Sequence, residues 1–272
     1  MNSCSAHRTA EIRLGNRFKA ASLGAVLATL ALAGSVGIVR AQEVDASKPT
    51  NFYPLLDNSL EYNARDEGGD LFGYRAVLTY PPSQAHTFTL EVPLLYNTET
   101  EVFGLGDARL RYFFLPYKNY DKFFGAFGPS IDIFTPTGSF ESGLGASSWS
   151  FSPGVTVGLM IADWIQTFPI ASYILGTKPS TDLIPEDEKK VTHGISLQAI
   201  TPVVFSESFF VQVTPVWSMG DVTRGETSRY IQELVAAYAL TPTLQLTAFW
   251  RGVFADNDHT IRVGLTVFFV GG

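Results

Sequence analysis

Cysteine stops at position 4. Beyond it the chain offers no disulfide, no thiolate nucleophile and no sulfur ligand for a metal, so three classes of chemistry are excluded together. Charge is scarce as well: 17% of the residues are charged and 46% are hydrophobic, whereas an average soluble protein has roughly 25% charged residues. Helical periodicity is missing from every stretch after residue 41. No HExxH metal motif, phosphate loop or dinucleotide fingerprint occurs, and no cofactor is expected.

What is present begins with a leader. Arg8, Arg13, Arg17 and Lys19 form a basic head, residues 20–39 are apolar, and Val39 and Ala41 are small side chains placed as a signal peptidase requires. Residues 1–41 are therefore expected to be a cleaved signal peptide. The alternative is an uncleaved membrane helix, but no basic stop-transfer cluster follows. Ser35 stands where a lipoprotein would need its lipidated cysteine. The leader holds five of the 19 Lys and Arg and one of the 26 Asp and Glu, which leaves 14 cations against 25 anions, a net charge of −11. An acidic exported chain is a poor nucleic-acid binder.

After the leader, apolar and other residues alternate with period two in runs of roughly ten, the pattern of transmembrane strands. Twelve such runs are expected, at 57–65, 72–80, 86–95, 106–116, 122–134, 149–161, 163–175, 191–203, 207–218, 228–240, 243–254 and 259–269. Phe88, Leu90, Val92 and Leu94 share one face while Thr87, Thr89 and Glu91 share the other. Leu110, Tyr112 and Phe114 oppose Arg109 and Arg111 in the same way. Short connections such as "IADW" and "LTPT" take turns with longer polar ones such as "TPTGSFESGLGASS" and "GTKPSTDLIPEDEKK". Aromatic residues near strand ends, Tyr80, Tyr96, Phe123, Trp149, Trp164, Tyr173, Trp217, Tyr238 and Trp250 among them, suit two interfacial girdles.

These patterns give an all-β chain: a transmembrane antiparallel β-barrel of about 12 strands over 57–272, preceded by the signal peptide (1–41) and by a segment (42–56) that lies in the periplasm or plugs the lumen. Its expected location is the outer membrane of a Gram-negative bacterium, short turns and both termini in the periplasm. The last strand, "HTIRVGLTVFF", must pair with the first, because an open edge in lipid leaves amides and carbonyls unsatisfied. A secreted soluble sandwich or barrel is the alternative fold. Its water-facing surface would then carry Phe113, Leu115, Phe124, Phe210, Phe249 and Phe268.

Two segments carry a resemblance. "GLGDARLRYFFLPY" from Gly104 and "FGPSIDIFTPTGSFESGLGASSWSFSPGVTVG" from Phe127, with GLGD at Gly104 to Asp107, PTG at Pro136 to Gly138 and GLG at Gly143 to Gly145, resemble an outer-membrane barrel family named for meta-pathway phenol degradation and described as transporters. The resemblance covers less than a third of the chain after the leader. It implies a Gram-negative pore that admits hydrophobic or aromatic small molecules. Turn geometry accounts for the glycines before ligand contact does.

By strand parity the pore-lining candidates are Arg109, Arg111, Asp132, Gln198, Gln212, Arg229, Glu233, Gln245, Arg251 and Arg262, with Phe113, Phe124, Phe210 and Phe249 as lumen aromatics. Such charges either screen solutes or cross-link the interior. A wall carrying both arginine and phenylalanine suits an aromatic acid or phenol better than a sugar. The expected partners are outer-membrane lipid and lipopolysaccharide, the barrel-assembly machinery and a small solute. The competing functions are a lipid-modifying hydrolase and a structural barrel with a closed lumen. For a hydrolase, His193 and Ser196 are the nearest pairing, and three residues apart on a strand they fall on opposite faces. His259 lies beside Asp256 and Asp258 in a short external loop, and His86 follows a turn. No catalytic or metal residue is expected.

Overall fold

A computed structural model describes residues 44–225 and 228–269. The expected signal peptide lies outside the described residues. Alternation of side chains drives most of the described chain after residue 54 into strands: β1 (Leu55–Ala64), β2 (Leu71–Ser83), β3 (His86–Asn97), β4 (Val102–Leu105), β5 (Arg109–Phe114), β6 (Tyr117–Lys118), β7 (Phe124–Phe134), β8 (Ser150–Ala162), β9 (Ile165–Gly176), β10 (Thr192–Ser206), β11 (Phe209–Met219), β12 (Arg229–Thr241), β13 (Leu244–Val253) and β14 (Asp258–Phe268). Each pairs antiparallel with its neighbour in sequence, apart from the interrupted stave described next.

The strands build twelve staves, because β4, β5 and β6 are pieces of one. β4 and β5 both pair with β3, while β5 and β6 both pair with β7. Ten residue pairs, from Leu55 opposite Phe268 to Ala64 opposite His259, join β1 to β14 and close the ring. Closure satisfies the main-chain groups that an open sheet would leave at its edges. Among the described residues no helix is long and apolar enough to cross a membrane.

The outer face is apolar. Leu60, Ile161, Leu197, Ile261 and Val263 are all at least half exposed, whereas a water-facing sheet turns its polar residues outward. Tyr80, Phe123, Trp164, Phe205 and Tyr238 are exposed near the short-turn end, and Phe103, Trp149, Tyr173, Tyr230 and Phe254 near the long-loop end.

Two expectations need correction. The stretch 106–116 is not one uninterrupted strand: the ladder breaks between Leu105 and Arg109. There Thr137 Oγ1 accepts from Ala108 N at 2.8 Å, and Asp107 accepts from Gly138 N at 3.0 Å and from Ala146 N at 2.7 Å. The long connection expected over "NTETEVFGLG" (97–106) is a hairpin whose turn is confined to residues 98–101, with Asn97 opposite Val102. Register shifts cluster at the short-turn end, as at Phe124/Ala126, Met160/Ala162, Val204/Ser206 and Ala239/Thr241. Bulges there bend and twist the strands at the rim.

Candidate functional site

Inward side chains fall into three levels along the barrel. At the short-turn end Phe52, from the segment before β1, is buried with Leu115 and Ala126 against Phe113, its ring edge-on to Phe113 at 5.7 Å. Residues 45–53 are held there by polar contacts. Asn51 Oδ1 accepts from Lys118 Nζ at 2.8 Å and from Tyr120 Oη at 3.1 Å, Thr50 bonds Tyr120, and Asp45 pairs with Lys48. Burial pushes the Tyr120 phenol up to about 12, so it stays a donor across the working pH range. Burial also acts to raise the Asp45 carboxyl, but the Lys48 ammonium and Ser47 hydroxyl more than offset this and hold it below its usual value.

At the long-loop end Leu144, from the loop after β7, is buried between Leu71 and Leu95, whose strands place both on the inner face. This loop is the "PTG…GLG" stretch. Asp107 of "GLGD" fastens its backbone, and Asn97 Nδ2 donates to Ser142 O at 3.0 Å. Gly138 is required by space, since a Cβ would lie 2.4 Å from the Leu144 carbonyl oxygen. Gly143 adopts φ +65° in the turn that presents Leu144.

Between the two caps runs a belt of charge. Glu61 on β1 pairs with Arg75 on β2, Arg75 with Glu91 on β3, and Glu91 lies 4.0 Å from Arg109 on β5. Asp132 on β7 then takes Arg109 Nη2 at 2.8 Å and Arg111 Nε at 2.7 Å. The belt therefore spans five adjacent staves. Glu233 and Arg251 pair at 3.4 Å on β12 and β13. Staves β8 to β11 carry no charge at this level: Thr156, Phe168, Ile170, Ser172, Gln198, Ile200, Gln212 and Thr214 line that side.

These walls enclose a cavity of about 530 Å³, floored by residues 46–53. The sequence-derived candidates Arg109, Arg111, Asp132, Gln198, Gln212, Glu233, Gln245 and Arg262 line it, as do Phe113 and Phe249. Arg251 faces inward by register, opposite its partner Glu233, but is not among the residues lining the cavity. Arg229 sits at the rim, where Asp256 holds it at 3.2 Å. Phe210 is inward by register, opposite Val204 near the short-turn end. Phe124 is a correction: the register shift at Gly125 sets it opposite Leu159 and turns it outward, where it stacks on Tyr117 at 5.5 Å.

Parity reading left out Asp57, Glu61 and Arg75, although the alternation in "LLDNSLEYNA" and "LFGYRAVLTY" was sufficient to find them. His193 points outward to Tyr173 and Ser196 inward, so they share no proton. His259 stacks on Trp250 at 6.1 Å, and His86 stacks on Phe114 at 4.7 Å. Among the described residues no three His, Cys, Asp or Glu side chains gather as a metal site.

No protein-family model and no curated protein matches the chain. Solved structures do. The chain is similar to the NanC porin with a TM-score of 0.60 and 11% identity, covering 78% of this chain and 98% of that one. It is similar to the COG4313 outer membrane channel from Pseudomonas putida F1 at 0.57 and 13%, covering 86% and 100%. The KdgM porin in complex with disordered oligogalacturonate gives 0.54 and 11%, covering 78% and 99%. The fold is that of a small outer-membrane porin. At these identities the porin-type barrel is what the likeness establishes, and all three of these relatives in fold are porins or channels.

Proposed function

We propose that this porin-type barrel is an outer-membrane channel for passive movement of small hydrophobic or aromatic solutes, with short turns and both termini in the periplasm. The observation that carries the reading is the inversion of polarity. Apolar side chains coat the outside, while a belt of ion pairs and a cavity of about 530 Å³ occupy the inside. Such a wall suits lipid outside and water or solute within. The oligogalacturonate-bound KdgM porin and the COG4313 channel support passage through a barrel of this size. Phenylalanines and arginines on one cavity favour an aromatic solute over a carbohydrate. In this reading residues 42–56 act as a plug, released from a signal peptide that ends near Ala41.

A specific observation favours a second reading, a structural barrel with a closed lumen: Phe52 and Leu144 cap the two ends. One experiment separates the two. Purified protein beginning at Gln42 is reconstituted in a planar bilayer, beside a version beginning at Pro54. The channel reading expects discrete steps that phenol reduces, and larger steps for the shortened chain. Silence from both forms, with each still folded by heat-modifiable gel mobility, would refute the channel and leave the closed barrel.

A further inference from the structure

Among the described residues, four of the five arginines on the inner wall have a carboxylate partner: Arg75, Arg109, Arg111 and Arg251. Arg262 has none. Its neighbours across the strands are Glu61 on β1 and Phe249 on β13. Glu61 is already bound by Arg75 and by Asn63 Nδ2 at 2.6 Å. The Arg262 guanidinium instead lies 3.7 Å from the Phe249 ring centroid, and its Nε has no hydrogen-bond partner. A guanidinium seated on a ring by one face keeps the donors around its edge available.

A buried donor without an acceptor, on a side chain that is itself only half-buried, is uncommon enough to need a physical reason. The surroundings supply one. Arg262 lies on the wall of the cavity, which Gln245 and Thr266 also line, together with Phe113 and Ile170 from other staves. One part of the wall offers a planar fork of N–H groups and the other offers hydrocarbon. Sites for small molecules combine a few fixed polar groups with an apolar lining in this way.

We infer that Arg262 anchors a solute subsite for the carboxylate of a small organic acid, the acid's aromatic or alkyl body lying against the apolar lining. This rests on the solute-channel reading above and adds a headgroup to it. Phe249 is a positioning residue, orienting the guanidinium so that its edge meets both carboxylate oxygens.

The test is binding to the purified, folded barrel in detergent, measured by calorimetry with benzoate and with benzyl alcohol, a ring of similar size without the charge. Wild-type protein is expected to prefer benzoate by about 10-fold or more. Arg262→Gln is expected to lose that preference while benzyl alcohol binds as before, and Arg262→Lys to recover only part of it, because an ammonium lacks the fork. If Arg262→Gln does not fold, Arg262→Lys and Phe249→Leu carry the test, each expected to weaken benzoate several-fold. Equal binding of the two probes by wild type, no benzoate binding, or an unchanged ratio in the variants would overturn the subsite. Bilayer recordings keep the two proposals apart. A conducting barrel indifferent to benzoate would sink the subsite and leave the channel, whereas a silent barrel that prefers benzoate would sink the channel and leave the subsite.

Discussion

Glu91 is an acid that two arginines share, paired to Arg75 and lying 4.0 Å from Arg109. Removing a shared partner leaves cations facing each other in a confined space, which costs more than the pair itself was contributing. For these partly hydrated side chains we expect Glu91→Gln to lower unfolding free energy by about 1–3 kcal/mol, read from urea-dependent tryptophan fluorescence. The same variant should move ion selectivity towards anions. The inner-wall charges of Asp57, Glu61, Glu91, Asp132 and Glu233 balance those of Arg75, Arg109, Arg111, Arg251 and Arg262, and deleting one acid leaves an excess of positive charge. A reversal potential in a salt gradient checks this. An unmoved potential would mean that ions do not pass the belt.

Tyr120 sets a pH limit on the segment it holds. Its phenol is raised to about 12 by burial, against roughly 10 in an unfolded chain. A raised folded value means that the neutral form is favoured, so its stabilisation is complete below pH 10 and is lost as pH rises through 10 towards 12. A nitroxide on Ala46→Cys reports this well, because the chain has no thiol after Cys4. The label's spectrum should narrow across that window, and Tyr120→Phe should narrow it already at neutral pH. A spectrum unchanged up to pH 12 would refute the latch.

At the scale of elements, the loop after β7 shows why a motif can be visible before its purpose is. Glycines at 138 and 143 and the acid at 107 are plain in the sequence, and turn chemistry is their first reading. What they accomplish depends on Asp107 lying beside residues 138 and 146, a proximity that no local pattern contains. Asp107→Ala removes the acceptors of two loop amides, one half-buried and one exposed, each bond worth about 0.5–1.5 kcal/mol. We expect the loop to loosen while the barrel stays folded, with faster proteolysis within 135–149 and larger, noisier current steps. Cleavage no faster than in wild type would show that Leu144 and the Asn97 bond to Ser142 hold the loop without Asp107.

The staves themselves were legible because lipid outside and polar groups inside impose a period of two on every strand. All twelve were locatable, and their ends were displaced by only a few residues where bulges and hairpin turns intervene. Phe124 shows where parity fails. One extra residue at Gly125 inverts the face of what precedes it, and the inversion is invisible unless the partner strand's register is known. The ion-pair belt was hidden for a related reason. Glu61, Arg75 and Glu91 each look like an isolated charge in a strand, and only antiparallel register brings them abreast. The unpartnered state of Arg262 is still further from the sequence, since it depends on what every neighbouring side chain already bonds.

For the whole molecule, charge is partitioned. The inner wall is balanced, so the net −9 of the described residues, 14 cations against 23 anions, resides in loops, turns and rim. Approaching solutes therefore meet an acidic mouth before a neutral, internally paired waist.

The seam between β1 and β14 has a topological consequence. Because the first and last staves pair over ten residues in the same manner as any hairpin, the ring has no preferred starting point. Joining Phe268 to Leu55 through a short linker and opening the chain within the turn at 98–101 should yield the same cylinder from a rearranged gene. Such a permutant would also begin without the segment that floors the cavity, uncoupling closure of the wall from closure of the lumen.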